Sequence, residues 1–210
     1  MLPVLVELAK EGTPEQAKQA VMCINIISVN KQPILSEIFD VLKQSLDPEA
    51  KNFQTALVSL GHIAQMCPGD FAVQMKNTIV QSIVKNLLMK NPEKPTKSTQ
   101  RRMYDSWCDD DKVPRDTKAK MRAMKLMVRW LMGLKSNTMA ENSGKSTLRM
   151  LYTTILHEGD LMETEHLSKA EMARLRLQAG CCMLKLAQEP VYADLISLEQ
   201  FQGLAILINS

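Results

Sequence analysis

Apolar side chains recur every three or four residues over most of the chain and almost never alternate one by one with polar ones. That spacing predicts helices and no sheet. The clearest stretch is Leu167–Phe201. Ser168 and Glu171 form an S-x-x-E capping box, in which two side chains satisfy N–H groups that a helix start leaves unpaired. Met172, Leu175, Ala179, Met183 and Leu186 then make one apolar stripe. Ala173, Gly180 and Ala187, seven apart, form a seam of small side chains where a neighbouring helix can come close. Pro190 stops this helix and Ser197 caps the next.

The same reading covers the rest of the chain. Leu2–Lys10 is a helix ended by Gly12. Thr13 caps the next with Pro14 at its first position, running to about Val29 with Ala17, Val21, Ile24 and Ile27 inward. Pro33–Leu46 places Ile34, Ile38, Val41 and Leu42 inward. Asn52–Met66 carries Leu57, Leu60 and Ile63 and is broken by Pro68-Gly69. Asp70 caps a helix to about Lys90 with the stripe Phe71, Met75, Ile79, Ile83 and Leu87. Residues 91–113 contain two prolines and no apolar period, and read as an exposed polar loop. Pro114–Lys135 is a long helix, 136–144 a second polar loop, and Lys145–Glu158, Ser168–Gln188 and Leu198–Ile208 are the remaining helices.

A weak internal pattern links these helices: an Ala followed by further positions at +1, +4 and +7, mostly apolar. It occurs at Ala20, Ala56, Ala123 and Ala179, with irregular intervals of 36, 67 and 56 residues. The expected fold class is all-α, a HEAT-repeat-like α-solenoid of antiparallel helix pairs. An ordinary all-α bundle is the alternative. The expected organisation is a single segment over 1–210 of a longer solenoid, because Met1 opens directly into a helix and the chain ends inside another.

Composition narrows the class. Over 210 residues, 45% are hydrophobic but only 4% aromatic, with 15 methionines, a balance suited to helix-on-helix packing. Five cysteines in an odd set, without C-x-x-C, argue against a disulfide framework and for a reducing compartment. No apolar run reaches the ~18 residues of a membrane span, so no membrane association is expected. The N-terminus carries acidic residues and lacks the basic start of a signal peptide.

Candidate chemistry is sparse. No two of His62, His157 and His166 stand at i+3 or i+4, and Asp109-Asp110-Asp111 lacks the alternation of a calcium loop. Gly144-Lys145-Ser146 ends like a phosphate-binding loop, but Met139 occupies the place of the required upstream Gly. No catalytic, metal-binding or cofactor-binding residue is expected, and no enzyme. The strongest electrostatic signal is the helix after Pro114. Lys118, Arg122, Lys125 and Arg129 follow at i, i+4, i+7 and i+11, one basic face. Between Lys90 and Lys135 there are thirteen Lys and Arg against six Asp and Glu, net +7 in a chain of net +3. The face is either simply solvated or a contact for an acidic segment, a phosphate or a nucleic-acid backbone. Tyr104 and Trp107 in the preceding loop are packing anchors or partner contacts.

Five blocks then carry a resemblance. They are KEGTPEQAKQAV at Lys10–Val21, ALVSLGHIAQMCPGDFA at Ala56–Ala72, AMKLMVRWLMGLKSN at Ala123–Asn137, STLRMLYTTILHEGDL at Ser146–Leu161 and LSKAEMARLRLQAGCCMLKLAQEPVYADLISLEQFQ at Leu167–Gln202. Together they resemble the central region of the precocious-dissociation-of-sisters family of cohesin regulatory subunits. Residues 91–113 are the least similar part. The resemblance implies a HEAT-repeat protein of the nucleus, associated with chromatin, that binds the kleisin subunit of cohesin. It also implies recruitment of cohesin-release and cohesion-protecting factors. Some members bind a highly phosphorylated inositol, for which no residue set is assigned here.

Overall fold

A computed structural model describes residues 1–44, 46–67, 70–90, 106–136, 138–163 and 166–209. Among the described residues all regular structure is helical, as an all-α helical-repeat fold requires. The helices are α1 (Leu2–Glu11), α2 (Pro14–Ile27), α3 (Lys31–Gln44), α4 (Phe53–Met66) and α5 (Asp70–Thr78), the last followed by a π-helical stretch Ile79–Leu88. Then come α6 (Arg115–Leu134), α7 (Ala140–Leu156), α8 (Lys169–Leu186), α9 (Pro190–Ala193) and α10 (Leu198–Asn209). The chain divides into two compact units. The first is Met1–Leu87 with Lys125–Asn137; the second is Leu88–Met124 with Thr138–Ser210.

In the first unit, Thr13 and Gln16 form a full capping box, with Pro14 in the first turn of α2. Only two residues link α1 to α2, so the chain folds back at once and the two helices pack together. A Cβ on Gly12 would lie 2.6 Å from the Leu8 carbonyl oxygen, so the close of α1 needs a glycine. The last carbonyls of α1 lack intrahelical donors. Side chains of α4 and its N-cap supply them: Asn52 Nδ2 donates to Lys10 O, Thr55 Oγ1 to Gly12 O and Ser59 Oγ to Ala9 O, at 3.2, 2.5 and 2.6 Å. The spacing 52, 55, 59 puts these three on one face of a helix that is otherwise apolar and buried nearly all round, from Thr55 to Ala64.

The inward stripes hold with two exposed exceptions, Ile34 and Met172 being half-buried. Ile27 is exposed, as the last residue of α2. Val41 is exposed as well, because Leu35, Ile38, Phe39 and Leu42, at i, i+3, i+4 and i+7, take the buried face of α3. The stripe Phe71, Met75, Ile79, Ile83 and Leu87 is buried throughout. A strict spacing of four drifts around a helix of 3.6 residues per turn. Looser winding reduces the drift, and the chain is π-helical from Ile79. The Pro68-Gly69 break lies outside the described residues, and Asp70, expected as a cap, is the first helical residue of α5.

The C-terminal part of α6 packs on α4 at close range. A Cβ on Gly133 would fall 2.0 Å from the Ala64 carbonyl oxygen, and one on Gly61 would fall 3.3 Å from Leu126 Cα. Beside them Trp130 is buried, its Nε1–H donating to Ala72 O at 2.6 Å. The repeated Ala20, Ala56, Ala123 and Ala179 are all buried.

In the second unit, α7 begins at Ala140, not at Lys145, so most of the loop expected at 136–144 is helical. Gly144 accounts for the difference. A Cβ there would lie 2.8 Å from the ring of Tyr192, which is fully buried. Packing of that ring outweighs the low helix propensity of glycine, and the Glu141–Lys145 pair at 2.5 Å, four residues apart, adds to it. The G-K-S run is therefore helix interior. The turn after α7 is left-handed at Glu158 and Gly159 (φ 54° and 112°), and a Cβ on Gly159 would meet the Met172 carbonyl oxygen at 2.0 Å. The small-residue seam of α8 is real at Gly180, against Leu207 of α10, but Ala187 is exposed. Pro190 opens the short helix α9 after the stop, and Ser197 and Gln200 cap α10 reciprocally.

Candidate interaction surface

The basic residues Lys118, Arg122, Lys125 and Arg129 all lie on α6, which is helical through all four positions. Their environments differ. Lys118 is half-buried, and its Nζ donates to the Asp111 carbonyl oxygen at 3.2 Å. Arg122 is half-buried too. Lys125 is exposed. Arg129 is half-buried with its stem against Gly61, where a Cβ would be 3.3 Å from Arg129 Cδ. The missing side chain at Gly61 thus gives the guanidinium stem a resting surface. Lys118 and Arg122 belong to the second unit, Lys125 and Arg129 to the first.

A fifth basic residue of α6 behaves otherwise. Lys120 is only 6% exposed. Its Nζ donates to the Lys90 carbonyl oxygen at 3.3 Å and lies 3.8 Å from the Asp116 carboxylate. Charged groups are rarely buried unless paired. The signal was present in the sequence: Lys120 shares its helix face with Met124, Met127 and Leu131, all of them buried.

The acidic triplet is exposed, and two of its three carboxylates are paired. Asp109 pairs with Lys112 at 3.0 Å, and the hydrogen bond and charge of that ammonium hold the Asp109 carboxyl below its ordinary value of 3.8. Asp110 pairs with Arg174 at 2.7 Å. Trp107 is 48% exposed, one face stacked on the Arg174 guanidinium at 4.1 Å. Tyr104 and the loop residues 91–105 lie outside the described residues. The described residues from 106 to Pro114 are non-helical, and the helix expected from Pro114 begins at Arg115.

Buried polar side chains serve the architecture. Glu171 Oε1 accepts from Thr117 Oγ1 at 2.7 Å, while its Oε2 accepts from the backbone N–H and Oγ of Ser168. The capping box read from the sequence thus extends to a residue 54 positions away. His62 is buried on α4, whereas His157 Nε2 meets Glu163 at 3.0 Å nearer the surface. All five cysteines are free thiols. Among the described residues no three His, Cys, Asp or Glu side chains are placed to hold a metal ion, and no helix is long and apolar enough to cross a membrane.

Comparison with known proteins follows the sequence blocks. The family model of the sister chromatid cohesion protein PDS5 matches residues 1–210. The chain is 45% identical over 210 residues to the sister chromatid cohesion protein PDS5 homolog A of Homo sapiens, covering 100% of this chain and 15% of that protein. It is 48% identical over 213 residues to PDS5 homolog B of Gallus gallus, covering 100% of this chain and 14% of the relative. Homolog A-B of Xenopus laevis is 45% identical over 210 residues, again at 15% of its length. The chain spans about one seventh of the length of these relatives. With the match running end to end at this identity, the chain belongs to the PDS5 family of sister chromatid cohesion proteins.

Proposed function

We propose that this chain is a non-enzymatic scaffold segment that acts in sister chromatid cohesion, associated with chromatin in the nucleus, by holding the kleisin subunit of cohesin. The observation that carries the reading is the end-to-end match to cohesion proteins. The mechanism is an extended peptide lying along helical surface, its acidic groups paired by basic side chains of α6. Lys125 is exposed and contributes most, while Arg129, Arg122 and Lys118, all half-buried, offer less. Cohesin-release and cohesion-protecting factors are the further partners of this reading.

The test is a titration of the chain with labelled kleisin peptides against the double variant K125E/R129E. Reversal of the two charges lowers affinity about tenfold, roughly 1.4 kcal/mol, with an unchanged circular dichroism spectrum. Equal affinity of variant and parent at low salt rejects the stripe. The local net of +7 around α6 favours one second reading, a direct contact with nucleic acid or a phosphorylated ligand. It is recognised by affinity for duplex DNA that falls steeply with salt and shows little sequence preference. Titration with a highly phosphorylated inositol in the same assay separates a compact polyanion from a nucleic-acid backbone.

A further inference from the structure

Arg174 of α8 reaches the segment that precedes α6. Its side chain is only 11% exposed although it ends in a guanidinium. Nε and Nη2 both donate to the Cys108 carbonyl oxygen, at 2.9 and 2.6 Å, and Nη2 also meets the Asp110 carboxylate at 2.7 Å. The guanidinium plane carries the Trp107 ring at 4.1 Å. One planar fork therefore holds three consecutive-turn elements of the segment 106–112: a ring, a carbonyl and a carboxylate. Lys112 closes the same turn on Asp109, through its backbone N–H and its ammonium, both at 3.0 Å. On the other side of residues 91–105, the buried Lys120 ammonium holds the Lys90 carbonyl oxygen at 3.3 Å.

Trp107 remains 48% exposed and Asp110 90% exposed, so little apolar area secures this segment. What holds it is directional and polar. Segments held by few buried apolar contacts open locally at lower free energy than the core around them. We infer that Arg174 is a latch: it fixes the segment 106–112 on α8, it can release that segment while the helices of the unit stay folded, and it works independently of what lies between Lys90 and Ser106. Lys120 fixes the other end in the same manner. A latch of this kind lets residues 91–105 change in sequence without disturbing the helical unit. Lysine cannot replace the arginine, because an ammonium has no plane for the indole and no rigid fork for the carbonyl and the carboxylate.

The chain contains two tryptophans, Trp107 and the buried Trp130, which makes 5-fluorotryptophan labelling and fluorine NMR a direct test. In R174A and R174K the Trp107 resonance moves to its position in the unfolded chain, and amide exchange across 106–112 quickens at least tenfold. The Trp130 resonance and the circular dichroism spectrum stay unchanged. Replacement of residues 91–105 by a Gly/Ser segment of equal length leaves the Trp107 resonance at its original position. Three results overturn the proposal. One is a Trp107 resonance and exchange pattern unmoved in both arginine variants. Another is movement of Trp130 together with Trp107 in both variants, which makes Arg174 part of the core. The third is a Trp107 shift on replacing 91–105 alone, which means the segment is held from that side.

Discussion

The two ends of α6 are held by opposite chemistries. Its C-terminal part, in the first unit, meets α4 through glycines: Gly133 presses on the Ala64 carbonyl and Gly61 on Leu126, with Trp130 buried beside them. Its N-terminal part, in the second unit, is tied to α8 by hydrogen bonds, with Thr117 on Glu171 and Lys118 on the loop that Arg174 clasps. Excluded volume positions the first contact and tolerates no added atoms. Directional bonds position the second, which tolerates changes of size but not loss of an acceptor. The difference teaches that a helix of mixed composition can pack well at both ends, provided each neighbour supplies the matching face.

Substitutions sharpen that contrast in order of expected size. Gly133→Val places atoms where the Ala64 carbonyl already is, and the first unit loses about 3 kcal/mol or more, read by urea unfolding with Trp130 fluorescence. Gly133→Ala is the stricter form. Helix propensity alone favours Ala by about 1 kcal/mol, so a stabilised G133A chain would break the steric account. Next in size is Glu171→Ala, which strands the Thr117 hydroxyl and the Ser168 N–H without an acceptor. It costs about 2 kcal/mol, seen as a lower urea midpoint. Glu171→Gln costs less because one oxygen remains. An E171A midpoint equal to the parent's would show that the network adds nothing to packing.

Trp130→Phe keeps most of the ring but removes the buried hydrogen bond to the Ala72 carbonyl oxygen. We expect about 1 kcal/mol, less than for Glu171→Ala because a single bond is lost. The smallest effect is alkaline. Burial pushes the Cys67 thiol above its ordinary 9.0 and the Tyr192 hydroxyl far above its ordinary 10.0. In the unfolded chain both groups ionise at their ordinary values, so above pH 9 the unfolded state binds fewer protons than the folded one. Stability is therefore full below pH 9 and declines as pH rises past it. Urea midpoints from pH 7 to 11 check this, and a Cys67→Ser chain lacks the earlier part of the decline. A midpoint that stays flat to pH 11 would contradict the burial of both groups.

Much of this architecture was legible along the chain. The all-α class, the capping boxes at Thr13 and Ser168 and the buried stripe of Phe71 to Leu87 were all readable. So was the family, from blocks spread over the chain. The expectation failed where local preference and tertiary packing disagreed. Asn142-Ser143-Gly144 reads as loop on propensity, yet it is helix because the Tyr192 ring needs the space that Gly144 leaves. Counting charge on α6 picked out Lys118, Arg122, Lys125 and Arg129 and passed over Lys120, whose helical phase puts it in the core. The basic stripe itself was read as uniform, but the side chains range from exposed Lys125 to Lys118 bonded to a backbone carbonyl.

By itself the sequence determined the helices, most of their ends and the faces they bury. Those features depend on residues within about one turn of each other, where spacing, caps and prolines act directly. Only the tertiary structure decided which polar side chains serve the core. Lys120 finds its carbonyl 30 positions away, Glu171 its hydroxyl 54 away and Arg174 its loop 66 away. Pairings over such distances leave no local pattern, because each depends on where the packed helices bring a distant backbone group.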